Sequence, residues 1–251
     1  MKKLALTACL LVLTACGGSP SPAPTTPAVA ATGPLTVFAA ASLKEVLTDL
    51  GRTFERRNPG AKVTFSFAGS QALVAQIQQG APADLLATAD AASAASVVAE
   101  LAGPTQVLAR NQLAVLVAPG NPLKLLTLAD LAKPSVKVVL AGPTVPAGKA
   151  ARKALASAGV TVKEVSDEPD VKAVVAKVRL GEADAGIAYV TDARAAKGAV
   201  DSIALPGISN VYPAAALKNA PHAATATQFL AFLVSVDAQS VFRSYGFLPP
   251  A

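Results

Sequence analysis

Residues 35–70 constrain the fold most, because they contain a complete strand–helix–strand unit. Residues 35–39 form an apolar run rich in strand formers. Small residues and Ser42 follow, and apolar residues at helical spacing continue to Phe54. This pattern predicts an amphipathic helix with Ser42 as its N-cap. Residues 62–67 then alternate polar and apolar side chains and predict a second strand.

The second strand ends as the first one does, with small residues, a serine and a helix pattern. Ala68 and Gly69 lead to Ser70, and Leu73 and Ile77 follow at helical spacing. Two strands therefore deliver two helix N-termini from their carboxyl ends. Ligands of open parallel α/β sheets bind at that edge, so we expect the functional site there.

Strand and helix patterns alternate along the rest of the chain, which predicts an α/β fold with mostly parallel sheets. Further strands are predicted at residues 85–88, 112–118, 136–140, 160–165, 185–190, 203–205 and 211–217. Further helices are predicted at residues 91–101, 127–133, 147–158, 171–180, 222–235 and 238–245. Extended segments near Gln112 and Val211 favour two lobes joined by a hinge.

The N-terminus has the pattern of a targeting segment followed by a tether. Two lysines precede an apolar run that ends in the tetrapeptide Leu-Thr-Ala-Cys at residues 13–16, which has the form of a lipoprotein cleavage box. The pattern predicts cleavage before Cys16, a lipid on Cys16, and a Pro-, Ser- and Thr-rich tether up to residue 33. Both cysteines of the chain lie in this segment, so we expect no disulfide or thiolate chemistry in the folded body.

Composition argues against several other functions. The formal net charge is +6, but the basic residues are scattered and tryptophan is absent, so we expect no nucleic-acid binding. The sequence has no nucleophile elbow, no glycine-rich phosphate loop and no His/carboxylate metal cluster around its single histidine, His222. We therefore expect no enzyme. A structural or adhesive role would suit a lipid anchor, but it would not explain the serine-bearing turns at one edge.

Six short motifs occur in the order and spacing of a known family. They are VFAAASL (37–43), FAGS (67–70), QGAPADL (79–85), VPAG (145–148), GIAY (186–189) and FRSYGF (242–247). Over residues 35–248 the chain resembles the molybdate-binding proteins of ABC importers, which are periplasmic-type solute-binding proteins. The resemblance implies a type II periplasmic-binding-protein fold, with two α/β lobes of mostly parallel sheets flanked by helices and a ligand in the cleft. Lobe 1 would comprise residues 34–111 and 212–251, and lobe 2 residues 112–211.

The resemblance also implies which residues bind the oxyanion. They are Ser42, Ser70, Ala147, Val171 and Tyr189. Molybdate would be held as an oxyanion, with no direct metal ligand and no cofactor. The chain departs from the family at Gly69 and Gln71, where relatives often have consecutive serines, so a single hydroxyl is left at this turn.

Neutral donors at helix N-termini suit such a ligand, since molybdate is a dianion that can only accept hydrogen bonds. Phosphate usually keeps a proton, and none of the matched positions supplies an acceptor for it. Sulfate differs from molybdate only in size. Together with the resemblance, this chemistry leads us to expect a monomer that binds molybdate and tungstate outside the cytoplasm and, as the resemblance implies, delivers them to the permease and ATPase of an ABC importer. The alternative is the same fold with sulfate or another small anion as ligand.

Simpler structural roles stay open for several of these residues. Each serine also fits an ordinary N-cap, and Tyr189 fits half-buried packing at a strand end. Asp84 and Asp184 are expected to be structural residues at strand entries that cap turns by Asx hydrogen bonds. Lys149 is expected to face solvent, and His222 is expected to cap a helix or to be exposed.

Overall fold

The computed structural model describes residues 31–250. Eight strands occur in this part of the chain: β1 (Thr32–Ala40), β2 (Gly60–Ala68), β3 (Leu85–Ala87), β4 (Gln106–Val117), β5 (Val138–Ala141), β6 (Ser166–Glu168), β7 (Ala185–Tyr189) and β8 (Asp201–Ala216). The α-helices of the same range are α1 (Lys44–Arg57), α2 (Ser70–Gln78), α3 (Ala91–Ala95), α4 (Pro146–Ser157), α5 (Val171–Arg179), α6 (Val190–Ala195), α7 (Ala223–Leu233) and α8 (Val236–Ser244). Short 3-10 helices lie at Ala41–Leu43, Val98–Glu100 and Leu128–Ala132.

These strands form one sheet in the order β2-β1-β3-β8-β4-β7-β5-β6. β1 pairs in parallel with β2 and β3, and β5 pairs in parallel with β6 and β7. Between these groups, β4 and β8 pair antiparallel with each other and with the flanking strands. The sheet therefore consists of two parallel groups joined by a central ribbon, which is the β4–β8 pair.

The two parallel groups lie at opposite ends of the central ribbon. β3 pairs with residues 214–216 of β8, and its carboxyl end points toward the middle of the ribbon. β7 pairs with residues 113–117 of β4, and its carboxyl end also points toward the middle. The register of the ribbon shifts between Gln112 and Ala114. The carboxyl ends of both groups thus face each other across the middle of the ribbon, and ligands of α/β sheets bind at such ends.

The hydrophobic core divides in the same way as the sheet. One cluster draws on residues 113–205, with Ala41 as its one buried member from outside that range. Two other clusters draw on residues before 110 and after 211. Val37 and Phe38 fall in different clusters, because successive side chains of a strand point to opposite faces of the sheet. Each parallel group therefore has its own core.

The helices follow the apolar stripes of the sequence. α1 buries Val46, Leu47, Leu50 and Phe54 against the first parallel group, as the spacing predicts. Gly159 follows α4 with φ of 67°, a left-handed conformation in which glycine commonly ends a helix. The amphipathic pattern thus fixes which face of each helix meets the sheet.

The strand predicted at residues 160–165 is wrong. Val160 and Val162 pack against the core as partly buried side chains, but their backbone forms no strand. β5 pairs instead with β6, which begins at Ser166. The alternating apolar side chains of residues 160–165 therefore reflect packing against the core and not pairing in the sheet.

The helix predicted at residues 91–101 is also wrong in length. α3 ends at Ala95, and the Ser96 hydroxyl donates a hydrogen bond to the Ser93 carbonyl at 2.7 Å. Such side-chain bonds compete with the helical backbone pattern. The chain continues instead into the 3-10 helix Val98–Glu100.

The strands of the central ribbon are longer than the sequence predicts. β4 begins six residues before the predicted start at Gln112, and the two strands predicted at residues 203–205 and 211–217 are parts of β8. Polar Arg110 and Asn111 interrupt the apolar pattern of β4, and the Pro206 region interrupts that of β8. Pairing between the two strands continues on both sides of these interruptions.

Gly148 lets α4 pack directly against the end of β5. A Cβ at this position would lie well inside contact distance of the carbonyl oxygens of Ala141 and Gly142. These are backbone atoms, which cannot move aside as a flexible side chain can. The absence of a side chain at Gly148 therefore sets where the first turn of α4, including Ala147, lies.

We expect Gly148→Ala to destabilise the protein by about 3 kcal/mol, since overpacking against backbone outweighs the better helix propensity of alanine. Gly142→Ala is a matched control, because its Cβ would make only ordinary contacts, with the Val145 side chain at 3.6 Å and the Glu168 carbonyl oxygen at 3.7 Å. Chemical denaturation of both variants measures the difference. Equal stability of the two variants would contradict this account of the packing of α4.

Candidate functional site

A small cavity lies where the carboxyl ends of the two parallel groups face each other. All five residues that the sequence predicts as ligand-binding line this cavity: Ser42, Ser70, Ala147, Val171 and Tyr189. The structure therefore brings together residues that are up to 147 positions apart in the chain. Each of them is buried.

Ser42 does not cap a helix, so the predicted capping role is wrong. It lies inside the 3-10 turn Ala41–Leu43, which continues directly into α1 and has Ala40 at its N-cap position. Its hydroxyl is 2.9 Å from the hydroxyl of Tyr212 in β8. Tyr212, and not a backbone amide of α1, thus orients the Ser42 side chain.

Ser70 does not cap its helix either. It is the first residue of α2, and Gly69 occupies the N-cap position. The Ser70 Oγ accepts a hydrogen bond of 3.0 Å from the backbone N–H of Ala89, just beyond β3. Because its oxygen is held in this way, the Ser70 hydroxyl can donate its own proton into the cavity.

α4 and α5 present backbone donors from the second parallel group. Pro146 at the start of α4 has no N–H, so Ala147 supplies the first one. Asp170 caps α5: its carboxylate accepts from the N–H groups of Lys172 and Ala173, at 2.8 and 3.1 Å. The Asp170 carboxylate accepts no hydrogen bond from the N–H of Val171. The first N–H groups of a helix have no partner within it, so both Ala147 and Val171 can donate to a ligand.

Tyr189 ends β7 and is completely buried. Its hydroxyl oxygen accepts a hydrogen bond of 2.7 Å from Asn210, and its backbone N–H donates to Asp192. Burial raises the pKa of Tyr189 well above its usual range, and nearby Tyr212 and Asp192 raise it further. The phenol is therefore neutral at any physiological pH and keeps a proton that it can donate.

Three polar residues that sequence reasoning missed support these donors. Asn111 donates to the hydroxyls of Tyr212 and Thr191, at 3.2 and 2.7 Å. Asn210 bonds both Tyr189 and the carbonyl of Ala89. Burial raises the pKa of Tyr212, so it too is neutral. Tyr212 had a partial signal, as an aromatic residue in an apolar strand, but its pairing with Ser42 depends on the tertiary fold.

The cavity is rich in hydrogen-bond donors. None of the lysine, arginine or histidine side chains in residues 31–250 lines it. Asp170 does line it, but one oxygen of its carboxylate already accepts two backbone N–H groups of α5. Hydroxyls and free N–H groups from both parallel groups can therefore surround a small ligand that accepts hydrogen bonds.

Asp84 and Asp184 are structural residues, as predicted, but their prediction as Asx caps of turns is wrong. Asp84 accepts hydrogen bonds from the N–H groups of Thr36 and His222, both at 2.7 Å. Asp184 accepts from Lys137 at 2.8 Å. Both carboxylates join neighbouring segments of the chain and do not close a local turn. Neither lines the cavity.

Lys149 and His222 also lie outside the cavity. Lys149 is exposed, as predicted, and its Nζ is 3.2 Å from a carboxylate oxygen of Asp90. His222 occupies the N-cap position of α7 without a side-chain cap, and its Nδ1 is 3.4 Å from Asp84. Cys16 and its predicted lipid lie outside the described residues. Among residues 31–250, no helix has the length and apolar character needed to cross a membrane.

Comparisons with known proteins agree with this site. Residues 35–248 match the model of the family described as bacterial extracellular solute-binding proteins. The chain is 40% identical over 244 residues to the molybdate-binding protein ModA of Mycobacterium tuberculosis. The match covers 95% of this chain and 93% of the relative. It is 33% identical over 235 residues to ModA of Escherichia coli, and this match covers 88% of this chain and 91% of the relative.

The fold is similar to that of solved binding proteins. The periplasmic molybdate-binding protein of Azotobacter vinelandii aligns with a TM-score of 0.76 at 23% identity, over 86% of this chain and 100% of that one. The sulfate-binding protein SubI of M. tuberculosis aligns with a TM-score of 0.75 at 20% identity, over 86% of each chain. These likenesses show the two-lobe fold of periplasmic binding proteins. The chain therefore belongs to the family of bacterial extracellular solute-binding proteins, as its resemblance to molybdate-binding members implied.

Proposed function

We propose that this protein binds molybdate and tungstate and delivers the oxyanion to an ABC importer. The observation that carries the proposal is the convergence of five neutral donors on one buried cavity without a cationic side chain. Its relatives named as molybdate-binding proteins support the same ligand. In this role Ser42, Ser70 and Tyr189 donate hydroxyl protons, and Ala147 and Val171 donate backbone N–H groups.

Physical chemistry explains why such a cavity can hold a dianion. Removing a doubly charged ion from water is very costly unless hydrogen bonds replace its hydration. The N-termini of α2, α4 and α5 each offer unpaired N–H groups and a partial positive charge. A shell of neutral hydrogen-bond donors favours a ligand that is fully ionised. Molybdate and tungstate have this character at neutral pH, whereas phosphate keeps a proton.

We further propose that residues 34–111 and 212–251 form one lobe, that residues 112–211 form the other, and that the cleft closes on the ligand. The separate cores and the register shift in the central ribbon support this division. Ser42 and Ser70 would then come from one lobe, and the remaining three donors from the other. A ligand that bonds to both lobes stabilises only the closed state.

The remaining parts of the proposal follow from this role. The protein would act as a monomer outside the cytoplasm, held at a membrane by a lipid on Cys16, and would dock on the permease of an importer driven by its ATPase. It would bind no nucleic acid, require no cofactor and catalyse no reaction. Sulfate or another small anion is the alternative ligand, since the cavity chemistry is shared and only its size discriminates.

Calorimetric titration with molybdate, tungstate, sulfate and phosphate tests the ligand. The suitable chain is residues 17–251, which omits both cysteines and keeps the whole described fold. We expect one-to-one binding of molybdate and tungstate and little heat from the other two anions. If only sulfate or phosphate gives heat, the assignment of molybdate as the ligand is wrong. If none of the four anions gives heat, the proposed function is wrong.

Ser42→Ala and Ser70→Ala are each expected to weaken molybdate binding about tenfold or more, because each removes a hydrogen bond to a charged ligand. Each also removes a buried partner, Tyr212 or the N–H of Ala89, so a loss of stability of about 1 kcal/mol is expected. Ser157→Ala, at an exposed position of α4, is the control. Titration calorimetry measures the affinities, and unchanged binding in both cavity variants would contradict the site.

Lys172 joins the two proposed lobes beside the cavity. Its Nζ is 2.7 Å from a carboxylate oxygen of Glu45 in α1 and 3.0 Å from one of Asp192, which is fully buried. Burial raises the pKa of Asp192, and Lys172 opposes this shift. Burial lowers the pKa of Lys172, but the charges of Asp192 and Glu45 outweigh burial and raise it. Lys172 therefore favours the ionised form of Asp192, whose carboxylate accepts a hydrogen bond from the backbone N–H of Tyr189.

Lys172→Met is expected to destabilise the protein by about 2 kcal/mol at pH 7, because it leaves a buried carboxylate unpaired. Without Lys172 the pKa of Asp192 rises further above its usual 3.8, so the folded state binds a proton more readily than the unfolded state. The free energy of unfolding of the variant therefore falls as the pH rises above 3.8. The loss of stability relative to the unmodified protein is thus smaller at pH 4 than at pH 7. Chemical denaturation at both pH values measures it.

Lys177→Met is the matched control in the same helix, because Lys177 pairs with Glu182 on the surface. Its loss is expected to be small, with no difference of this kind between the two pH values. An equal loss for Lys172→Met at pH 4 and pH 7 would contradict the role assigned to Lys172.

A further inference from the structure

The backbone conformation of Gly69 does not require glycine. It is the N-cap residue of α2, with φ of −60° and ψ of 139°, a conformation open to any L-residue. It also lies in no tight turn that would need a left-handed conformation. The reason for glycine must therefore lie in its surroundings.

Those surroundings come from across the cavity. A Cβ at Gly69 would lie 2.5 Å from the carbonyl oxygen of Pro169, and 2.5 and 2.6 Å from the amide atoms of Gln71. The Gln71 side chain is flexible and can move away. The Pro169 carbonyl is backbone, one residue before Asp170, which caps α5. The space for a side chain at Gly69 is thus occupied by the segment that carries the second group of donors.

Gln71 strengthens this contact. Its Nε2 donates a hydrogen bond of 3.0 Å to the same Pro169 carbonyl, so α2 and the segment before α5 are joined directly. Gln71 Oε1 has no hydrogen-bond partner and is shielded from solvent, so the amide is held by the Pro169 bond alone. Gly69 and Gln71 act here as one contact, which we call the Gly69–Pro169 contact.

We propose that the Gly69–Pro169 contact is the stop at which the two lobes close, and that it sets the size of the oxyanion cavity. The inference rests on the proposed function, since it concerns closure of that cleft. Ser70 follows Gly69 directly, and Val171 lies two residues after Pro169. The separation of these two donors is therefore fixed within a few bonds of the contact.

A methyl group at Gly69 would hold the lobes apart. Ordinary van der Waals contact begins at 3.4 Å, whereas the Cβ would lie at 2.5 Å. The two surfaces would have to separate by close to an ångström, which lengthens the hydrogen bonds that a ligand receives from both sides. Since hydrogen bonds weaken steeply with such lengthening, bound ligand would dissociate faster. The open form would be unaffected.

Gly69→Ala and Gly103→Ala form a matched pair for the test. Gly103 is exposed, also has an ordinary backbone conformation, and a Cβ there would meet no atom within 4 Å. We expect Gly69→Ala to raise the Kd for molybdate about tenfold, through a faster dissociation rate with a nearly unchanged association rate. Gly103→Ala should match the unmodified chain. Equal dissociation rates for the two variants would overturn the proposal.

Closure without ligand gives a second, independent test. Residues 17–251 contain no cysteine, so Ala91→Cys and Lys153→Cys introduce one exposed thiol on each side of a surface groove that Asp90 and Lys153 line. A short bismaleimide then traps the closed form. We expect Gly69→Ala to slow cross-linking relative to Gly103→Ala, and equal rates would overturn the contact as a stop. Because no anion is needed, this result separates failure of the inference from failure of the proposed ligand.

Discussion

The antiparallel pairing of β4 with β8 is the interaction on which the rest of the structure depends. β8 pairs with the first parallel group through β3, and β4 pairs with the second group through β7, at opposite ends of the ribbon. This arrangement turns the carboxyl ends of both groups toward the same point. Because helix N-termini follow these ends, the pairing collects unpaired N–H groups from distant parts of the chain around one cavity.

The charge of the site is supplied by the backbone and not by basic side chains. Helix N-termini present partial positive charge at fixed positions, whereas a lysine would bring a mobile side chain that must be ordered. Lysine is present close by, but it has a different task. Lys172 pairs with the buried Asp192 and with Glu45, and Asp192 in turn holds the backbone of Tyr189. The cationic side chain thus supports a donor without facing the cavity.

Much of the fold and the residues around the cavity could be predicted from sequence. Apolar periodicity located most helices and strands, since burial of one face imposes that pattern. It failed at residues 160–165, where alternating side chains pack without sheet pairing. The family resemblance named the five cavity residues, and the structure brings them together. The assignment of Ser42 and Ser70 as N-caps failed because a local pattern contains no information about partners such as Tyr212 and Ala89.

The sequence by itself determined the α/β class, the faces that each helix buries and the residue types that can donate hydrogen bonds. These properties depend on neighbours a few positions apart, so local spacing encodes them. Only the tertiary structure decided which hydroxyl orients which, why Lys172 stays charged beside a buried carboxylate, and why Gly69 has no side chain. Those properties depend on contacts between segments about 100 or more residues apart in sequence, and such contacts exist only once the central ribbon has paired.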